Sequence, residues 1–410
     1  MSDILHVTPV MPVDELHIEH ALDSAEHAGS LVTSWVPSRF EHALLRAVPA
    51  LWRKVRREPV RLQHRRVVRH LWPDVRHFMD LRAHLLESDL LAHDEFFHRV
   101  DRTASALVAS STRMVIGREF GCEQTFKQAQ NLGVTRLYHL PTVDHDTLHD
   151  ILKREQALFP DICSSTFDPF EFHPKHMLSK RNEIAMADKI MCPSQFVKQS
   201  LLDAGVDDTK ISVTPFGSEQ AWLEFPRRKT SGKTILFVGN ISVRKGAHRL
   251  LQMWKHLGAF RTHKLLLVGD MHLTSSFLKD YAGMYEHRPR MPRENLRDIY
   301  LQADALVLPA LAEGFALVIQ EALSCGVPVL ASRNSGAEGF LNDGTEARLF
   351  AAQDDIMLAT TLEWALSHPT ELEALGHAGR VKAREWTWRS FELVVQQQVA
   401  SLLSMRDVKG

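Results

Sequence analysis

The chain has 410 residues, a formal net charge of −1, and a composition that is 44% hydrophobic and 24% charged. That length points to two or three domains with full-sized cores, and that composition to a soluble globular protein. The near-neutral charge excludes a broad nucleic-acid footprint, because gripping a phosphate backbone needs an excess of Lys and Arg.

Read from the N-terminus, Met1 to Leu31 carries Asp3, Asp14, Glu15 and Glu19 where a signal peptide needs an apolar stretch. No window supplies about 18 uninterrupted apolar residues, so a cytoplasmic chain without a membrane span is expected. Short apolar runs predict strands at Ile4 to Pro9, Ser30 to Val36, Met114 to Arg118, Thr135 to Leu140, Asp188 to Pro193 and Lys210 to Thr214. Between the second and third lies one anomaly, Arg39 to Arg82, where Arg53, Lys54, Arg56, Arg57, Arg61, Arg65, Arg66 and Arg69 stand among Leu51, Trp52, Val55, Val67 and Leu71. A basic amphipathic stretch can rest on an anionic membrane surface, here the inner face, or grip an acidic acceptor. It is also a common solvated face over an apolar stripe. Cys122, Cys163, Cys192 and Cys325 are far apart and form no ligand array, so neither a metal site nor a disulfide framework is expected.

Several polar residues in this half sit at predicted strand ends. Arg118 and Glu119 follow one strand, and His139 and His145 lie in RLYHLPTVDHDTLHD at the end of the next. In a chain with 23 His an arbitrary one is more often a surface residue, so these are candidates only. Ser194 precedes a helical pattern and is expected to cap it.

The second half alternates strands at Thr234 to Gly239, Lys264 to Gly269, Asp304 to Ala310 and Pro328 to Ser332 with helices at Gly246 to Leu257, Glu294 to Gln302 and Ala316 to Cys325. Such alternation is the mark of parallel α/β sheets, whose strands open at their carboxyl ends onto ligand sites. The stretch from Pro215 to Lys233 is the best boundary, dividing domains 1–217 and 218–385, and Glu385 to Leu403 reads as a final helix. Two doubly wound sheets imply a cleft between them.

Two stretches of the second half carry the chemistry. Glu313 and Glu321 are separated by seven residues in EGFALVIQEALSCGVPVLAS, one on a loop and one on a helix. One carboxylate can accept from sugar hydroxyls and the other from both ribose hydroxyls, while the amides of Gly314, Phe315 and Ala316 at a helix start suit an anion. Gly239 to Gly246, the loop GNISVRKG, fits neither a P-loop nor a dinucleotide fingerprint, but it sets Arg244 and Lys245 at a helix N-terminus where a diphosphate would gain from charge and dipole.

The EGFALVIQEALSCGVPVLAS run, together with FVGNISVRKGAHRLL and GAEGFLNDG, resembles the E-x7-E signature of the family 4 retaining glycosyltransferases, over most of Lys233 to Trp388. The resemblance implies the GT-B fold, in which two Rossmann-like doubly wound domains face a cleft. The second domain would bind a UDP- or GDP-sugar donor, the first an acceptor such as a glycan, a lipid-linked glycan or a glycosylated small molecule, and the last helix, 386–410, would pack back on the first domain. It implies a retaining, metal-independent transfer with no cofactor beyond the nucleotide sugar. Gly239, Asn240, Arg244, Lys245, Glu313, Gly314, Phe315, Ala316 and Glu321 would bind donor, with Glu313, Lys245 and His145 catalytic and His139, Arg118 and Glu119 on the acceptor side. The chain departs from the family in two places. Asn240 stands where the family pattern Gly-Arg-x-x-x-x-Lys-Gly has Arg, and HVTPVMPVDE replaces the glycine-rich loop after the first strand. Two alternatives stay open, a non-catalytic partner subunit that binds nucleotide sugar or another transferase, and a nucleotide-sugar 2-epimerase.

Overall fold

The computed structural model describes residues 4–34, 62–70, 86–162, 172–225, 227 and 234–409. Cys163 and most of the basic stretch, residues 39–61 and 71–82, lie outside the described residues. Among the described residues thirteen strands fall into two sheets. The first contains β1 (Ile4–Thr8), β2 (Gly29–Ser34), β3 (Arg65–His70), β4 (Met114–Arg118), β5 (Thr135–His139), β6 (Lys189–Cys192) and β7 (Ile211–Val213), in the order β3-β2-β1-β4-β5-β6-β7. The second contains β8 (Thr234–Val238), β9 (Lys264–Val268), β10 (Glu286–Arg288), β11 (Ala305–Leu308), β12 (Val329–Ser332) and β13 (Arg348–Phe350), in the order β10-β9-β8-β11-β12-β13.

Pairing is parallel from β3 through β6 and throughout the second sheet. Parallel strands covered on both faces are largely apolar, as β11 (ALVL) is, and β1 (ILHVT) is likewise buried along its whole length although it carries His6 and Thr8. Among the described residues the helices of eight residues or more are α1 (Val13–Ser24), α2 (Leu86–Leu107), α3 (Glu123–Asn131), α4 (His145–Leu158), α5 (Pro174–Met186), α6 (Gln195–Asp203), α7 (Ala247–His256), α8 (Arg293–Tyr300), α9 (Leu317–Ser324), α10 (Asp355–Ser367), α11 (Pro369–Glu385) and α12 (Trp388–Lys409). Ser194 caps α6 as expected, its Oγ accepting from the Val197 amide at 3.2 Å. Among the described residues no helix is long and apolar enough to cross a membrane.

The chain forms two compact units. Unit 1 comprises Met1–Leu140, Pro169–Met191 and Glu392–Gly410, and unit 2 comprises Pro141–Asp168 and Cys192–Phe391. Composition suggests one boundary near residue 217, whereas contacts give crossings after residues 140, 168, 191 and 391. Within unit 2, α4 is bound by a buried carboxylate. Glu155 accepts from Arg249 Nη2 at 2.8 Å and from Gln353 Nε2 at 2.8 Å, and meets His248 Nε2 on its other oxygen. Burial alone would raise its carboxyl, but the hydrogen bonds from His248, Arg249 and Gln353 hold it down at about 2.

Three strands differ from the sequence reading. β3 lies inside the basic stretch, and its first residue, Arg65, is buried rather than solvated. β10 (EHR) and β13 (RLF) have no apolar run to announce them. The final helix expected from Glu385 is present as α12 but starts three residues later, at Trp388, after α11 ends and Thr387 bridges to Ser218.

Candidate functional site

In each sheet the strand order reverses at one point, between β1 and β4 in the first and between β8 and β11 in the second. Such reversals leave a crevice at the strands' carboxyl ends, because the connecting helices depart to opposite faces. In unit 2 the loops leaving β8 and β11 are Gly239–Gly246 and 309–316, the two stretches singled out by sequence.

Their backbones are laced together. Leu311 N–H donates to the Arg244 carbonyl at 2.8 Å, and Arg244 Nε donates to the Ala312 carbonyl at 3.0 Å. Asn334 supports the second loop from the far side: its carbonyl accepts from Glu313 N–H at 2.9 Å and its Nδ2 donates to Leu311 O at 2.8 Å. Gly246 is required where these loops meet. Its φ of +69° is left-handed, and a Cβ there would stand 1.9 Å from the Pro309 carbonyl oxygen.

The side chains then converge. Lys245 Nζ lies 2.9 Å from Glu313 Oε2, and Arg244 Nε lies 3.6 Å from Oε1. The stem of Lys245 crosses over Gly239, at van der Waals distance from where a Cβ would be. Burial pushes the Glu313 carboxyl up, but Lys245 and Arg244 together hold it below the usual carboxylate range. About a sixth of the Lys245 side chain and an eighth of the Glu313 side chain stay exposed, so the pair is partly desolvated yet reachable (17% and 13%). Asn240 is exposed on the first loop.

The 314–316 amides are not all alike. Ala316 N–H donates to the Ser335 carbonyl at 3.1 Å, which corrects the expectation that all three face an anion. Gly314 packs edge-on to the backbone of Pro141, whose carbonyl oxygen would be 1.7 Å from an added Cβ. The Phe315 side chain belongs to the core, with ring contacts to Phe216 and Phe340. Helix α9 begins just after, with no side chain capping its first turn.

Glu321, on α9, is paired differently. It is buried, with Oε1 accepting from Arg293 Nη2 at 2.9 Å and Oε2 from the Tyr300 hydroxyl at 3.0 Å. Burial pushes its carboxyl up, and Arg293 and Tyr300 offset that only in part. Arg293 also donates to Glu219 at 2.9 Å and lies over the Trp222 ring. Sequence reasoning missed Arg293 and Tyr300. Their separation by two helical turns on α8, which puts both on one face, was the available signal.

In unit 1 the equivalent reversal carries a chain of buried charges. Arg118 Nη1 donates to Asp14 and to Glu15, each at 2.8 Å, and His139 Nδ1 lies 2.6 Å from the same Glu15 oxygen. His6 joins the other oxygen of Glu15 to Glu19, each at 2.7 Å, and Arg65 closes the chain on Glu19 at 2.9 Å. Burial alone would depress His6, yet a carboxylate at each ring nitrogen raises it to about 9. Arg65, Arg118 and protonated His6 then match the carboxyl groups of Asp14, Glu15 and Glu19. Arg118 and His139 are thus brought together, while Glu119 turns aside to Lys180 at 3.3 Å. The acids Asp14 and Glu15 stand where the glycine-rich loop was absent. His145 is in unit 2, buried in the first turn of α4 behind the Asp144 cap.

Comparison with known proteins bears on the same stretch. Residues 218–382 match the family described as glycosyl transferases group 1. The chain is 29% identical over 168 residues to D-inositol 3-phosphate glycosyltransferase of Corynebacterium diphtheriae, covering 38% of this chain and 39% of that protein. It is 28% identical over 231 residues to MMP alpha-(1->4)-mannosyltransferase of Mycolicibacterium hassiacum, covering 54% of this chain and 55% of that protein. The chain thus spans about half or less of the length of these relatives. Among solved structures it is similar to sucrose-phosphate synthase from Thermosynechococcus elongatus, with a TM-score of 0.64 at 17% identity over 98% of this chain and 99% of that one. It is also similar to WaaG, a glycosyltransferase involved in lipopolysaccharide biosynthesis, with a TM-score of 0.61 at 13% identity over 96% of this chain and 98% of that one. At that identity the likeness is one of fold, two doubly wound α/β domains of the GT-B type.

Proposed function

We propose that this chain, which carries a domain of the glycosyl transferases group 1 family, moves a sugar from a nucleotide-linked donor to a sugar-containing acceptor with retention at the anomeric carbon. The observation that carries the reading is the pairing of Lys245 and Arg244 with Glu313 where the second sheet reverses. A diphosphate needs cations and helix starts, and a sugar needs a carboxylate that stays ionised; this one place offers all three.

In this reading Lys245, Arg244, the Gly314 and Phe315 amides and the uncapped start of α9 stabilise the leaving diphosphate, with Gly239 giving the Lys245 stem its path. Glu313, held ionised, accepts from sugar hydroxyls and offsets charge growing on the ring. Glu321, positioned by Arg293 and Tyr300, takes the ribose hydroxyls with its remaining lone pairs. The bond from the anomeric carbon to the phosphate oxygen breaks, and the acceptor hydroxyl oxygen bonds to that carbon on the same face. Its proton passes to the departing phosphate, so the products are a nucleoside diphosphate and a glycoside. Preorganised charge supplies most of the barrier lowering. Two-carboxylate double displacement needs a nucleophile on the opposite ring face, and the site offers no candidate for it. Positive charge comes from side chains and helix ends, so the scheme requires neither metal nor cofactor. Unit 1 takes the acceptor, with Arg118, Glu119 and His139 as the groups to test there, and His145, in unit 2, is tested as a catalytic group.

The base is uracil or guanine, as the family resemblance implies, and we place the protein in the cytoplasm, at the inner membrane face if the 39–82 stretch binds anionic lipid. A second reading, a nucleotide-sugar-binding partner without transfer, draws on Asn240, which brings no charge to the loop. A screen of UDP- and GDP-sugars against wild type and Glu313→Ala tests the proposal. Calorimetric binding without any glycoside product favours the partner reading, and undiminished transfer by Glu313→Ala rules out the role of that residue.

A further inference from the structure

Away from both sheet reversals, α1 and α12 carry a third group of polar side chains within unit 1. His17 and His20 stand three residues apart on α1, a spacing that puts them on one helix face, and their rings meet edge to face with centroids 5.6 Å apart. Glu392 on α12 reaches both: its Oε1 lies 2.7 Å from His17 Nδ1 and 3.9 Å from His20 Nδ1. One ligand atom from each residue lies within 4.8 Å of the others.

We propose that His17, His20 and Glu392 form a binding site for one divalent transition-metal ion, zinc above all, that joins the first helix of the chain to its last. Zinc bonds of 2.0–2.1 Å in tetrahedral array set neighbouring ligand atoms about 3.3 Å apart. The two measured separations fall on either side of that value, so rotamer adjustments of about half an ångström bring the atoms into place. Two imidazoles and a carboxylate are a donor set suited to zinc, with the fourth position left to water. The side chains are 18%, 39% and 12% exposed for His17, His20 and Glu392, which gives an ion a path in.

The frame around the three residues is set independently of them. One turn further along both helices, Gln396 Nε2 donates to the Ala21 carbonyl at 2.9 Å and to Ser24 Oγ at 2.8 Å, fixing α12 against α1 at the distance the ligands need. The other His and carboxylate group of unit 1, Asp14, Glu15 and His139, is also tightly clustered. There the Arg118 guanidinium already donates to both acids, and its charge stands where a cation would have to go. Because His17 and Glu392 lie 375 residues apart, an ion held between them binds only the folded chain and stabilises it by mass action.

The test is a zinc titration of the full chain, free of any purification tag, in competition with a chromophoric chelator. Wild type is expected to take up one equivalent, His20→Asn to weaken that uptake by about tenfold or more, and His17→Asn/His20→Asn to lose it. Thermal unfolding should show a zinc-dependent rise for wild type that is absent in His20→Asn. Uptake unchanged in the double variant, which keeps the rest of the 23 histidines, overturns the proposal, and so does a wild type that takes up no zinc. If the double variant does not fold, Glu392→Gln, which preserves shape and an acceptor oxygen, carries the same expectation and the same refutation.

Discussion

Lys245 and Glu313 close on one another at 2.9 Å from loops that leave adjacent parallel strands. Each satisfies the other's charge, and Arg244 stands near enough to complete a three-membered cluster. A diphosphate and a sugar hydroxyl would replace these contacts with equivalent ones, so the groups are oriented in advance and little rearrangement accompanies the reaction.

Lys245→Ala should reduce transfer by about 10²–10³-fold, the range seen when one preorganised stabiliser of developing charge is removed, and Lys245→Arg should restore part of it. Initial rates with the best donor from the screen check this. Equal rates for wild type and Lys245→Ala would remove the residue from the mechanism.

Arg293→Ala should raise the donor KM by about tenfold and leave kcat within about threefold, because it positions a group that binds donor equally in ground and transition states. Glu321→Gln should do the same. If both variants lower thermal stability but leave KM untouched, Glu321 belongs to the core alone.

Gly246→Ala should destabilise unit 2 by about 2 kcal/mol or more, since the new methyl meets the Pro309 carbonyl and the left-handed backbone disfavours any side chain. Urea unfolding measures it. A midpoint equal to wild type would mean that the two loops separate more readily than their hydrogen bonds suggest.

Stability of unit 1 should fall at alkaline pH. His6 is raised from 6.5 to about 9 by Glu15 and Glu19. Its contribution is therefore fully present below about pH 6.5, the unfolded value, and is lost as pH climbs through about 9. Thermal melts between pH 6.5 and 9.5 should show the decline for wild type and a flatter profile for His6→Gln. Parallel profiles would count against a charged His6.

Glu155→Ala should cost about 3–5 kcal/mol, the usual penalty when a buried cation loses its carboxylate, here Arg249 with His248 beside it. Differential scanning calorimetry would register it, and a shift within error of zero would show that Asp355 alone suffices for Arg249.

Much of the architecture could be read from residue order because strands covered on both faces carry continuous apolar runs, as β8 (TILFV) and β9 (KLLLV) do after their first residue. The strands that escaped notice, β3, β10 and β13, each sit at a sheet edge. An edge strand is half covered and tolerates RRVVRH or EHR, which resemble loop or helix surface. The two loops of the candidate site were legible because each follows a strand end, one with Arg244 beside Lys245 and the other with Glu313 separated by seven residues from Glu321. That Lys245 would meet Glu313 was not, since it depends on β8 lying beside β11 rather than beside the next strand in sequence. The buried charges of unit 1 were hidden for a related reason: Arg65, His6, Glu15 and Arg118 are ordinary polar residues until the strand order 3-2-1-4 places them in one row.

The four chain crossings have a practical consequence for dissecting the molecule. A fragment cut at the apparent linker, 218–385, would leave behind α4, α6 and the Asp144 cap. Arg249 and His248 would then be exposed without their carboxylate, and Gly314 without the Pro141 backbone that it packs against. Neither half should survive excision as a contiguous piece. A usable fragment of unit 2 would need residues 141–168 joined to 192–391.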